Sequence, residues 1–159
     1  MKTKDILIYQ TGSGGDISLI DGDISMSERI YYKVYLCLFG GNKEASTRGD
    51  EKTGEERFDW WGNSLFFSQE ESKQFNSETE RVLKTVSLNS KGRVDVLQAV
   101  KNDLKLFQNI SEISINVVLL SSNSLAIEVK IKEPLNNSNS LVKMVWDNAK
   151  NEVITSIII

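Results

Sequence analysis

The 159-residue chain has no histidine, one cysteine and one proline. Without histidine, Ser-His-Asp and Cys-His hydrolases are excluded, as are nearly all zinc sites. A single cysteine excludes an intrachain disulfide. That residue, Cys37, lies in the apolar run Val34-Tyr35-Leu36-Cys37-Leu38-Phe39 and reads as a small buried hydrophobe. Long hydrophobic runs are absent as well. No window approaches the ~20 apolar residues that a membrane helix needs. Ile6-Leu7-Ile8-Tyr9, near Lys2 and Lys4, is too short for the core of a secretion signal. Nor is there an excess of cations. The 19 Lys and Arg face 22 Asp and Glu, a net charge of -3, which argues against general nucleic-acid affinity. The expectation is a protein made in a cytoplasm, with no cofactor, metal, membrane or nucleic-acid partner.

What is present describes an ordinary globular chain. A hydrophobic fraction of 40% with 26% charged residues fits one domain, long enough to build a core unaided. Two of the three tryptophans are adjacent, in Asp59-Trp60-Trp61-Gly62. Neighbouring side chains diverge on a helix or a strand, so the two indoles rarely share one core. One reading makes both rings core anchors for a long loop; the other gives one of them to a subunit contact.

Periodicity organises the rest. Residues 5–10 and 17–20 read as short strands, the second followed by the turn Asp21-Gly22-Asp23. Ser27 reads as a helix cap and Glu28 suits the helix's positive end. Ile30, Val34 and Leu38, with Tyr31 and Tyr35, then form a wide helical stripe ended by Gly40-Gly41. Residues 40–62 form a long polar loop, a length that is usually functional or disordered. A short apolar segment follows at 65–67. Ser77 and Glu80 make a capping box before a helix carrying Val82, Leu83 and Val86, with Asn89-Ser90-Lys91-Gly92 as its stop. A third helix is expected over about 94–107, on Leu97, Val100, Leu104 and Phe107.

Beyond residue 112 the period becomes two. Ile113, Ile115, Val117 and Leu119 alternate with more polar positions, as do Leu125, Ile127, Val129 and Ile131. Ser121-Ser122-Asn123-Ser124 links them into a hairpin with one buried face. Residues 141–146, which include Trp146, and 152–159 predict a second hairpin. The ending Ile157-Ile158-Ile159 needs covering, by this chain's own sheet or by a neighbour's. The fold class expected is α+β: two to three helices packed on an antiparallel sheet of C-terminal hairpins, with a short N-terminal β segment.

Carboxylate chemistry survives the absence of histidine. Glu55, Glu56 and Asp59 stand beside the indoles, and glycoside hydrolysis needs two carboxylates across a cleft. Solvated loops also collect acids, so the pattern constrains little.

The order of features resembles the Mu-like phage baseplate wedge family, whose small members are similar to the sheath-initiator (lysozyme-like wedge) proteins of contractile tails. The residues carrying the resemblance are Asp21-Gly22-Asp23-Ile24, the helix end Leu36-Cys37-Leu38-Phe39, Trp60-Trp61-Gly62-Asn63, the helix pair and hairpin, and the closing Glu133-Pro134. It covers about residues 16–134. The chain has Asn63 where the family tends to have Asp, and Glu133 where Arg is usual. Its basic run is thinned to Lys43 and Arg48, and residues 135–159 extend beyond the pattern.

The resemblance implies a non-enzymatic structural subunit of a contractile phage tail or prophage-derived injection device. Its partners are then other wedge and hub proteins and the sheath or tube subunits. Its place is the virion tail baseplate, after synthesis in a host bacterial cytoplasm. The expected organisation is a single domain: an N-terminal β arm (1–26), a wedge-like core (27–134) and a C-terminal hairpin extension (135–159). Trp60, Trp61, Gly62, Tyr31, Tyr35, Trp146, Ile157, Ile158 and Ile159 are the expected structural and interaction residues. Strands 113–120, 125–132 and 152–159 are the expected surfaces for strand addition. The alternatives are a tail-associated peptidoglycan hydrolase using the loop carboxylates, and a generic cytoplasmic adaptor.

Overall fold

The computed structural model describes residues 4–6, 8–10, 15–17, 19–28, 30–41, 61–70, 74–108, 111–133 and 138–158. The chain is α+β, with helices on one face of a four-stranded antiparallel sheet. That sheet has strand order β10-β9-β8-β7, from β7 (Glu112–Leu119), β8 (Ser124–Glu133), β9 (Ser138–Asp147) and β10 (Glu152–Ile158).

Its register explains why the alternating pattern of the sequence works. Cross-strand pairing stacks Ile115, Val129 and Val142 in one row, Val117, Ile127 and Met144 in the next, and Leu119, Leu125 and Trp146 in a third. Side chains two residues apart share a face, so these rows make one continuous apolar surface. The opposite face carries Ser114 with Lys130, and Asn116 with Glu128 and Lys143. There Lys143 Nζ lies 3.0 Å from Glu128, and Asn116 Nδ2 donates to the same carboxylate at 3.2 Å. The two hairpin turns lie side by side, joined by Asn148 N donating to Asn123 O at 2.8 Å.

Helices α1 (Ile30–Phe39), α3 (Glu78–Thr85) and α4 (Ser90–Asp103) cover the apolar face, with the short α5 (Lys105–Gln108) against β7. They contribute Val34, Leu38, Phe39, Leu83, Val96, Val100, Leu104 and Phe107 to the core. Each such fully buried side chain stabilises the fold by ~1.5–3 kcal/mol relative to an exposed one.

The hydrogen bonds at the helix ends lock the layer together. Ser77 caps α3 by accepting from Glu80 N at 3.1 Å, as the box pattern predicts. Its hydroxyl donates to Leu38 O at the end of α1, and Ser77 N donates to Gly41 O at 2.6 Å. The other half of the box is unused, because the Glu80 carboxylate pairs instead with Lys84 at 2.7 Å. Asp103 of α4 closes the remaining donors, accepting from Glu78 N at 3.0 Å and Thr79 N at 2.8 Å. Gly40 sits at the crossing. A Cβ there would collide with Leu36 O and come within 2.7 Å of Phe75 Cβ.

Four sequence expectations need correction. Ser27 does not cap α1: it belongs to β6 (Met26–Glu28), opposite Asp5, and the helix begins at Ile30. Asn89-Ser90-Lys91-Gly92 is a helix start, since Asn89 Oδ1 accepts from Gly92 N at 3.0 Å and α4 opens at Ser90. Residues 61 and 62, expected to end the long loop, instead open the short helix α2 (Trp61–Phe66), which takes in 65 and 66 of the apolar segment. Strand 125–132 lies inside the sheet, paired on both sides, and so has no free margin.

The N-terminal arm is a cloverleaf of two-stranded ladders. β1 (Lys4–Ile6) pairs β6 as a stem. From it spring the hairpin of β2 (Ile8–Gln10) with β3 (Gly15–Ile17) and that of β4 (Leu19–Ile20) with β5 (Asp23–Ile24). The last turns on Asp21 (φ 54°) and Gly22 (φ 81°), positive angles at both central residues that a tight two-residue hairpin demands.

Candidate functional site

The sheet margins are the first candidate. β7 and β10 each have one neighbouring strand among the described residues. Leu120 N donates to Ser124 O at 3.0 Å. Extending that register, Glu112, Ser114, Asn116 and Val118 exchange main-chain bonds with β8, while Ile113, Ile115, Val117 and Leu119 turn theirs outward. Arg93 Nη1 reaches over from α4 and donates to Val117 O at 3.4 Å, which occupies one outward carbonyl. β10 is modified differently: its pairing with β9 shifts between Val153 and Thr155, leaving Ile154 45% exposed. A cationic side chain and a bulge are both recognised ways of blunting an edge. Neither spans the whole margin. Ile113 and Ile115 on β7, and the regular stretch 155–158 on β10, keep strand geometry.

The tryptophan loop is the second. Trp61 opens α2 and Gly62 lies in its first turn; Trp60, Ile159 and the loop acids Glu55, Glu56 and Asp59 lie outside the described residues. What fastens this helix is Asn63. It is fully buried, donates from Nδ2 to Phe75 O at 2.9 Å and accepts at Oδ1 from Phe75 N at 2.9 Å. The amide copies a strand's paired bonds. A carboxylate in its place has no proton for the Phe75 carbonyl. On the outside of α2, Leu65 and Phe66 are 65% and 62% exposed.

Of the other expected structural and interaction residues, Trp146 lies in the core and Tyr35 packs against it. Trp146 is 2% exposed and stacks on Phe39 at 6.1 Å, and Phe39 meets the Tyr35 ring at 5.3 Å. Trp146 therefore joins the sheet to α1. Tyr31 lies on α1, while Ile157 and Ile158 lie on β10 opposite Lys143 and Val142, so that strand pairs within this chain's own sheet.

Titratable groups gather at the helix junction. Burial pushes the Asp103 carboxyl up to about 6, against the pull of its hydrogen bonds from Thr79 and Glu78. Burial also raises Glu80, opposed by Lys84. The Cys37 thiol is pushed up to about 12, by burial first and Asp103 second. A thiol so strongly protonated is a poor nucleophile. Asp103 anchors the start of α3, and Glu80 pairs with Lys84 one turn along the same helix. On the sheet's polar face, hydrogen bonds from Lys143 and Asn116 hold Glu128 below the usual range.

No group of three or more acidic or cysteine side chains suited to a metal occurs among the described residues. No helix among them is long and apolar enough to cross a membrane. Comparison with protein-family models, characterised proteins and solved structures finds no match for this chain.

Proposed function

We propose that this chain is a structural subunit of a contractile phage tail baseplate, of wedge or sheath-initiator type, that works by strand addition and catalyses no reaction. The observation that carries the reading is the sheet order β10-β9-β8-β7, with one helical layer and two margins that keep usable strand geometry. Main-chain hydrogen bonds at such a margin give affinity with little demand on the partner's sequence. The wedge, hub, sheath and tube subunits are the proposed partners. The Trp60-Trp61 pair, close in sequence to the Asn63 anchor, is the proposed second contact.

The test compares two proline substitutions in tail assembly. Ile115 directs its N–H outward, so Ile115→Pro removes a donor from the margin and spares the β8 ladder. Asn116→Pro breaks the ladder and serves as the unfolding control. Trp61→Ala is assayed alongside. The reading expects Ile115→Pro and Trp61→Ala to stay folded by circular dichroism and to lower particle yield. Normal yield from both variants rejects it.

A further inference from the structure

A guanidinium lies over the β7 margin. Arg93 stands in the first turn of α4, half-buried, and its Nη1 donates to Val117 O at 3.4 Å. That bond is long, and it uses one of the five N–H donors of the group. Arg93 forms no ion pair among the described residues. Asp95, the acid nearest in sequence, is about 200° further round the helix and so points elsewhere.

Residues four apart share a helix face, so Arg93, Leu97 and Lys101 make one stripe. Helix α4 runs antiparallel to β7. Its first turn reaches Val117 near the strand's end, and its last turn leads through α5 into the strand's start. The rises match, since four helical residues and two strand residues each advance ~6 Å. Leu97 therefore comes level with Ile115, and Lys101 with Ile113. Leu97, Ile113 and Ile115 are half-buried and pack against the core. Lys101 is exposed and makes no ion pair among the described residues. The flank of the margin thus reads cation, apolar, cation beside Val117, Ile115 and Ile113, the residues whose main-chain groups turn outward.

We propose that the strand added at β7 is acidic, with a carboxylate opposite Val117, an apolar side chain opposite Ile115 and a second carboxylate opposite Ile113. This rests on the strand-addition reading and names the chemistry of the partner. Residues directly opposite on paired strands put their side chains on one face, so the partner's pattern is acidic-x-apolar-x-acidic. The pattern is the same in both directions and holds for a strand of either polarity. The incoming N–H takes over Val117 O, and the released guanidinium closes on the first carboxylate. Lys101 meets the second. The two cations repel a basic strand, and a neutral strand leaves Arg93 with neither its carbonyl nor a carboxylate. The margin is thereby guarded against general strand pairing and open to one kind of strand.

Three labelled synthetic strand peptides, centred on Glu-Thr-Val-Thr-Glu, Gln-Thr-Val-Thr-Gln and Lys-Thr-Val-Thr-Lys, test this against the full chain. Fluorescence anisotropy reads affinity and hydrogen exchange reads position. The Glu peptide is expected to bind and to protect the Ile113 and Ile115 amides. The Gln peptide should bind roughly tenfold more weakly, for want of the charge-assisted hydrogen bonds, and the Lys peptide more weakly still. Arg93→Gln and Lys101→Gln should each weaken the Glu peptide and leave the Gln peptide nearly unchanged. The three peptides on the unaltered chain decide the matter without either variant. Equal affinity for all three, with protection at β7, overturns the charge rule and leaves strand addition standing. Binding by none overturns the proposal, while particle yield from Ile115→Pro judges strand addition by itself. Glu-peptide binding that leaves β7 exchange unchanged is a contact made elsewhere and overturns it. Protection of β7 that rises with the chain's own concentration makes a second copy the occupant and also overturns it.

Discussion

Replacing Asn63 with Asp changes one buried amide to a carboxyl of nearly the same shape. The Phe75 N–H keeps its acceptor, but the Phe75 carbonyl loses its donor and faces an oxygen. A buried group left without its partner costs ~1–3 kcal/mol. An ionised carboxylate in this fully buried site costs more, so its folded pKa rises well above the ~3.9 of an unfolded Asp. The sign follows from proton uptake. Between those two pKa values the folded state binds the extra proton, so stability is retained below about 3.9 and lost as pH rises through the folded value. When protonated, the carboxyl also regains a donor for Phe75 O. The expected loss is therefore ~1 kcal/mol near pH 4 and ~3 kcal/mol at pH 7. The latter is a fall of roughly 10 °C in Tm for a chain of this length. Urea unfolding of both proteins at several pH values measures the difference directly. Asn63→Ala, which lacks both bonds and cannot titrate, should lose ~2–4 kcal/mol at every pH. A difference for Asn63→Asp that is independent of pH, or below ~0.5 kcal/mol, refutes the reasoning.

Three further outcomes are expected. Asp103 is raised to about 6 in the fold, so its stabilising contribution is complete below its unfolded pKa and lost as pH rises through about 6. Asp103→Asn should flatten the decline in urea midpoint over that window, and an unchanged slope contradicts the assignment. Gly40→Ala forces a methyl against Leu36 O and Phe75 Cβ and should destabilise by ~1–3 kcal/mol in thermal unfolding; a neutral result means that the α1 end and the Phe75 segment move apart freely. Cys37 should resist iodoacetamide at pH 8 in the native protein and react promptly in urea; equal rates in both contradict its protected setting.

The sheet was the most legible part of the sequence. Alternation at Ile113–Leu119 and Leu125–Ile131, with a serine-rich link, survives intact because a half-buried strand repeats every two residues whatever packs on it. The Ser77 cap was legible because it is local chemistry. The Asn89 cap was misread because Asn, Ser and Gly mark helix ends of either polarity, and only the bond to Gly92 N decides between them. The true buried face of α4 runs through Val96, Ala99, Val100 and Leu104, while Val94 is 51% exposed. The expected stripe holds, with Val100, Leu104 and Phe107 in the core and Leu97 packed against it; what periodicity missed is the break between α4 and α5 at Leu104. The structural role of Trp146 could not be specified beforehand, because nothing local reveals that α1 crosses β9 and brings Phe39 onto it. Arg93 guarding Val117 O joins residues 24 apart, and no local pattern signals that contact. The anchoring role of Asn63 was not legible, because it depends on main-chain groups twelve residues away.

Hydrogen exchange on the four-stranded sheet, for the chain alone and after incubation with tail sheath, tube and hub subunits, tests the central claim most directly. The account predicts new protection at the outward amides of β7, Ile113 and Ile115 among them, or of β10, with the amides already bonded to β8 and β9 unchanged. Exchange at both margins that stays the same with every tail subunit contradicts it.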